Sequence, residues 1–249
     1  MPTHAETISR KVLGGSARIN MLTIKMTAVE DRRKMAEALQ KSLGLYDEDI
    51  IWDDRPEGER GDAMYTVRKA WLSPLKPGET HRLVISEDLE VCDGFREIFE
   101  EAIKAHPDVC FSPFTTSLNS PYYDEFCSTL KTPYVDHSIG ISGCAILLPS
   151  HLIQEAFDWI DANLQPDVMD NTALNAWLHY KGLPILTTIP CTIQHIGDIS
   201  VVDPTWPVRR TTRFDPHATA DWSNKEVVRK PVDERFKPYE WATFRPGKK

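Results

Sequence analysis

The stretch His81-Arg-Leu-Val-Ile-Ser-Glu-Asp-Leu-Glu-Val-Cys-Asp-Gly-Phe95 decides the fold class. Its apolar centre is short and continuous, as an interior parallel strand buried on both faces requires. Carboxylates follow at once in Ser86-Glu87-Asp88, and residues 93–104 then form a clear amphipathic helix. Strand, polar turn and helix make up the unit of an open α/β sheet. Such sheets bind ligands beyond the carboxyl ends of their strands, so Ser86, Glu87 and Asp88 are the first candidates for chemistry.

The same alternation extends outward. Residues 18–26 read as a first strand, residues 29–43 as a helix with Met35, Ala38, Leu39 and Leu43 at helical spacing, and Gly44 as its stop. Residues 49–52 read as a second strand ending in the acidic turn Asp53-Asp54-Arg55-Pro56, which completes a βαβ opening. A helix is expected over 61–72, closed by Pro74 and Pro77-Gly78. Beyond the deciding stretch come a strand at 108–112, a loop-rich region at 113–142 and a buried strand at 142–148. Helices are expected over 150–162, with Ser150 as N-cap, and over 171–180; strands at 183–189 and 191–195 are broken by Pro190. The division expected is a flexible leader at 1–17, one catalytic domain at 18–203, and a basic, Pro-rich tail at 204–249 packing on that domain.

Composition fits this picture. In 249 residues, 41% are hydrophobic and 27% charged, an ordinary globular mixture that argues against disorder and fibrous repeats. The longest apolar runs fall far short of the roughly 20 residues that span a bilayer. No membrane span is expected, the N-terminus lacks signal-peptide character, and the predicted location is the cytoplasm, or the host cytoplasm for a viral protein. The cysteines, Cys92, Cys110, Cys127, Cys144 and Cys191, contain no CxxC pair and read as free buried thiols. The net charge of −8 is unevenly spread: residues 204–249 carry 11 Lys and Arg against 6 Asp and Glu, leaving 18 against 31 in the body. A basic arm of this kind suits either a polyanion or the acidic body beneath it.

Two adjacent carboxylates repel a nucleoside diphosphate unless a divalent cation lies between them, and Mn2+ or Mg2+ suits oxygen ligands. The competing reading is a carboxylate cluster stabilised by the N-terminal dipole of the 93–104 helix.

Four segments in order resemble the GT-A glycosyltransferases, including bacterial and phage members. Residues 80–95 resemble the strand that ends in a DD or DxD metal motif before a helix. Gly140-Ile-Ser-Gly-Cys-Ala-Ile-Leu-Leu-Pro149 resembles the small-residue strand after the acceptor region. Residues 167–177 resemble the acidic turn and helix, and residues 189–200 the closing P…HxG…S segment. The resemblance spans residues 18–200 and implies a Rossmann-like, mixed central sheet flanked by helices, with an extended C-terminal tail. It implies Asp88 as the main metal ligand, Glu87 assisting, and His195 completing the site. Glu87 stands where the family usually has aspartate, and Glu90 offers a competing Asp88-x-Glu90 pair. The nucleotide-sugar, expected to be a UDP-sugar, is assigned to Thr27, Arg32, Asp53, Asp54, Arg68, Ser86 and Gly143, with Arg33 as an alternative to Arg32. Asp170 is the expected base or acceptor-positioning residue, with Asp167 second; Asp170 also suits an N-cap.

The acceptor wall is expected in the loop at 113–139, with Phe114, Tyr122, Tyr123 and Tyr134 as flat surfaces. The tail adds Arg209, Arg210, Arg213, Lys225, Arg229 and Lys230 near Trp206, Phe214 and Trp222, a pairing of charge and stacking groups suited to nucleic acid. This makes a hydroxymethylated base in phage DNA one expected acceptor and a glycan or cell-surface precursor the other. A sugar-nucleotide nucleotidyltransferase and a non-catalytic nucleic-acid-binding protein are the other classes compatible with the chain.

Overall fold

The computed structural model describes residues 21–56, 64–115, 132–136, 142–199, 205, 209–229, 242, 244 and 245. In chain order its main elements are β1 (Leu22–Ala28), α1 (Arg33–Leu43), β2 (Ile50–Trp52), α2 (Met64–Leu72), β3 (His81–Ser86) and β4 (Leu89–Val91). These are followed by α3 (Phe95–Ala105), β5 (Cys110–Ser112), β6 (Tyr134–Asp136), β7 (Ala145–Pro149) and α4 (Ile153–Asn163). The last are α5 (Asp170–Lys181), β8 (Ile185–Thr188), β9 (Ile193–His195) and β10 (Val228–Arg229).

Eight strands form one sheet in the order β10-β6-β8-β5-β7-β3-β1-β2. β1 runs parallel to β2 and β3, and β5 parallel to β8, whereas β7 is antiparallel to both β3 and β5. The mixed α/β sheet flanked by helices is therefore present. Side chains alternate across it. Leu83 and Ile85 of β3 join Leu22, Ile24 and Met26 in a core shared with α1 and α3, while Val84 points into a second core with Trp71, Phe157 and Trp177 from α2, α4 and α5. One strand thus feeds two cores, as its unbroken apolar run requires.

Beyond the end of β3 lies a separate two-stranded antiparallel sheet, β4 with β9, in which Leu89 faces His195. This pairing brings residues far apart in sequence to the carboxyl end of β3. Gly44 ends α1 as expected, in the left-handed conformation at φ 62° that glycine tolerates.

Several local expectations need correction. Ser150 does not cap α4: it starts a 3-10 turn, and its hydroxyl donates to Glu79 Oε1 at 3.2 Å. The tail does more than wrap the domain. Trp222 is 4% exposed within the first core, Tyr134 donates its hydroxyl to the Trp222 carbonyl at 2.6 Å, and β10 extends the sheet beside β6. Cys92, Cys110, Cys144 and Cys191 are free and buried, while Cys127 lies outside the described residues. Among the described residues no helix is long and apolar enough to cross a membrane.

Candidate functional site

β3 ends at Ser86, whose backbone N–H and hydroxyl both donate to the Cys144 carbonyl, at 2.9 and 3.2 Å, tying the strand end to the start of β7. Thr27 lies opposite Ser86 in the ladder at the end of β1 and donates to the Ile85 carbonyl at 3.5 Å. The chain then turns, and Glu87 and Asp88 are buried where it leaves the large sheet for the small one. Ile196 donates its N–H to the Asp88 carbonyl at 2.9 Å. His195 Nε2 stands 3.2 Å from Asp88 Oδ2, although the two residues are over a hundred positions apart. The other ring nitrogen, Nδ1, is buried without a hydrogen-bond partner.

Gly197 explains the glycine in the HxG segment. A Cβ there would stand 2.5 Å from Asp88 Oδ2, so only a residue without a side chain lets the backbone lie against this carboxylate.

Arg32, in the 3-10 turn before α1, supplies positive charge. Its Nη1 contacts Asp88 Oδ2 and lies 3.4 Å from Glu87 Oε1, while Nη2 donates to the Ile199 carbonyl. Burial and the neighbouring Asp88 charge push Glu87 above the usual carboxylate range. For Asp88 burial acts in the same upward direction, but the His195 hydrogen bond and the charges of His195 and Arg32 outweigh it and hold the group below its ordinary value.

Gly143, just before β7, lies beside Asp170 and Asn171 at the start of α5: a Cβ there would be 3.3 Å from Asp170 Oδ1 and from Asn171 Cβ. Asp170 is the first residue of α5, with Met169 at the N-cap. Burial raises its carboxyl to about 6, partly offset by the Asn171 N–H and the charge of Arg209. Arg209 also acts on Cys144, as does Asp88, so the carboxylate turn, the β7 entrance and the α5 start share one electrostatic neighbourhood. Asn171 Oδ1 is buried without a partner, a signal that residue type alone did not carry.

Other expected site residues are engaged elsewhere. Arg68 Nη1 lies 2.7 Å from Asp161 Oδ1, and the guanidinium stands over the Phe157 ring, so it ties α2 to α4. Asp53 is held by Arg55 at 3.0 and 2.8 Å, and Asp54 accepts from Tyr65 at 2.8 Å and from Lys69. Arg33 pairs with Glu30 and stacks over Trp52. Asp167 is exposed in the turn before α5, and Glu90 is exposed on β4, so Glu87 is the carboxylate that accompanies Asp88. Phe114 and Tyr134 are core residues rather than acceptor wall, and Phe214 and Trp222 likewise pack in or against the first core. Arg210 pairs with Asp198 at 3.0 Å. Tyr122, Tyr123, Trp206 and Lys230 lie outside the described residues.

A divalent cation bound octahedrally at 2.0–2.1 Å has adjacent ligands about 3 Å apart. The Asp88–His195 spacing is a hydrogen-bond distance that also meets that value, while His195 Nδ1 lacks the anchoring partner that a metal-bound histidine usually has. Among the described residues no three His, Cys, Asp or Glu side chains are grouped to hold a metal ion. Asp88 and His195 are thus paired with each other, and the Arg32 guanidinium lies against the same Asp88 oxygen. No model of a known protein family matches the sequence, and no curated protein matches it either.

Proposed function

We propose that this chain is a GT-A-type glycosyltransferase that moves a sugar from a nucleotide-sugar, a UDP-sugar first among them, to an acceptor hydroxyl. The observation that carries this reading is the meeting of Asp88 with His195 at the carboxyl end of β3, the juxtaposition the family resemblance implies. Arg32, Thr27 and Ser86 surround that strand end on the donor side, and Gly143 lets the entrance of β7 lie close against Asp170.

Transfer forms a bond between the acceptor oxygen and the anomeric carbon and breaks the bond from that carbon to the diphosphate. Asp170 takes the acceptor proton. Its carboxyl, raised to about 6, lies close to the operating range a general base needs. Asp88 and His195, with Glu87, would hold Mn2+ or Mg2+, which would neutralise charge on the departing nucleoside diphosphate. Arg32 and Arg209 supply positive charge from the protein itself. For the acceptor, a glycan or cell-surface precursor is favoured over a DNA base, because Trp222 is buried in the core and Phe214 is partly buried against it, which reduces the stacking surface of the tail.

Thermal-shift measurement with UDP-, GDP- and CMP-sugars, with and without Mn2+, tests the reading. One donor is expected to raise the melting temperature only when Mn2+ is present, with stabilisation of about 2.7 kcal/mol at a donor concentration a hundred times its Kd. D88A should abolish the effect. Absence of stabilisation by every donor would overturn the assignment, and sugar transfer to hydroxymethylated DNA but to no glycan would restore the nucleic-acid acceptor.

A further inference from the structure

We propose that Arg32 is a built-in stand-in for the divalent cation: guanidinium and cation alternate on the same carboxylate oxygen, and the released guanidinium then binds the donor's diphosphate. The second half rests on the glycosyltransferase reading; the first rests on the cation that this reading implies and on the geometry around Asp88.

Asp88 Oδ2 is the oxygen turned toward His195 Nε2, 3.2 Å away, and is therefore the oxygen a cation shared with His195 must use. Arg32 Nη1 already contacts that oxygen and also faces Glu87 Oε1 at 3.4 Å. A cation at coordination distance from Oδ2 and an N–H donor to the same lone-pair region exclude one another, and their like charges repel. Without a cation, Glu87 and Asp88 would be two adjacent buried carboxylates, and the guanidinium neutralises them.

Arg32 is also placed to leave. Its side chain is 13% exposed, it is attached to a short turn after β1, and among the described residues its remaining hydrogen-bond partner is the carbonyl of Ile199. Thr27 and Ser86 occupy the adjoining strand ends, so a guanidinium released from Asp88 stays beside the place where phosphate oxygens of the donor are expected. Arginine suits the second role because its planar fork matches phosphate oxygens.

The test is Mn2+ binding, followed by the loss of the free-ion electron paramagnetic resonance signal, with no nucleotide present. R32M removes the competitor and should bind Mn2+ about tenfold more tightly than the natural protein, which corresponds to about 1.4 kcal/mol. D88N should bind none. The melting temperature of metal-free R32M should be lower than that of the natural protein and recover with Mn2+. If R32M does not fold, R32K decides: a point charge cannot span Asp88, Glu87 and Ile199 together, so its Mn2+ affinity should rise several-fold. Affinity of R32M, or of R32K in its place, equal to or weaker than that of the natural protein overturns the competition. Failure of every protein to bind Mn2+ overturns both the competition and the metal reading.

At saturating Mn2+, UDP should bind R32M about tenfold more weakly than the natural protein if one charge-assisted phosphate contact is lost. Unchanged UDP affinity overturns the diphosphate role alone. UDP binding to none of the proteins, with Mn2+ competition intact, overturns the UDP assignment and leaves the competition standing.

Discussion

The two ends of β3 carry the same ingredients, an arginine and buried carboxylate, in opposite states of completion. At the amino end, Arg82 and Glu79 are both fully buried. The guanidinium donates to Glu79 through Nε and Nη2 at 2.7 and 3.0 Å, and to the carbonyls of Ala70, Trp71, Ser73 and Pro74 between 2.7 and 3.1 Å. It closes the end of α2, whose last carbonyls have no partners within the helix. Glu79 also accepts from the Lys76 N–H and the Ser150 hydroxyl. At the carboxyl end, Arg32 faces two carboxylates, keeps a water-exposed edge, and adjoins a histidine with one buried nitrogen unpaired. Completion marks structure, and an unfinished set of charges and hydrogen bonds marks the site.

The largest expected effect lies at the finished end. R82M leaves Glu79 buried without its partner and strips several carbonyls of donors, and should lower unfolding free energy by about 3–5 kcal/mol in urea titration. R32M, at the unfinished end, also strips buried carboxylates of their partner, but the edge left open to water and the raised carboxyl of Glu87, which can take up a proton, should hold the loss in metal-free protein to about 2–3 kcal/mol. Equal losses at both ends would erase the distinction.

Next in size is the response of Asp170 to pH. Its carboxyl lies at about 6 in the folded chain against 3.8 ordinarily, chiefly through burial. Below about pH 4 folded and unfolded chains both hold the proton. Between about 4 and 6 only the unfolded chain releases it, so stability falls as pH rises, reaching a constant deficit of about 3 kcal/mol above 6. D170N should remove this slope and be more stable than the natural protein above pH 6; on the glycosyltransferase reading it should also lose transfer activity. Denaturation midpoints measured from pH 4 to 8 check it; parallel curves for the two proteins would show that Asp170 is ordinarily solvated.

How much of this was legible in the sequence follows from the range of each interaction. The strands around Leu83–Ile85 and the helices α1 and α3 are written in local periodicity, and the structure has them within a few residues of the expected ends. Strand direction is not local, so the reversal of β7 between β3 and β5 could not be read. Leu89–Val91 is three residues long and acquires strand character only by pairing with residues 193–195. Trp222 stands in a segment without periodicity, which concealed its place in the core. In the site, the Asp88–His195 meeting was expected from the order of motifs, and the division of labour between Glu87 and Glu90 was not, because burial separates them and spacing does not. Arg32 is assigned to the nucleotide-sugar through the family resemblance and its place after the first strand; its contact with the carboxylates depends on a turn geometry that no residue spacing encodes.

The smallest effect separates two glycines that the chain needs for different reasons. Gly182 ends α5 at φ 65° with open space around its missing Cβ, so G182A should cost about 1 kcal/mol through backbone strain and leave the site alone. Gly197 is not in the left-handed region, yet its Cβ would stand 2.5 Å from Asp88 Oδ2 and 3.1 Å from its Cγ. G197A should therefore cost a similar 1–2 kcal/mol by crowding. Its distinguishing effect is displacement of the carboxylate from His195 and Arg32, read as Mn2+ affinity weakened by about tenfold with G182A unchanged. If the two variants lose equal stability and bind Mn2+ alike, Asp88 has room to move, and the close approach at Gly197 is packing rather than part of the site.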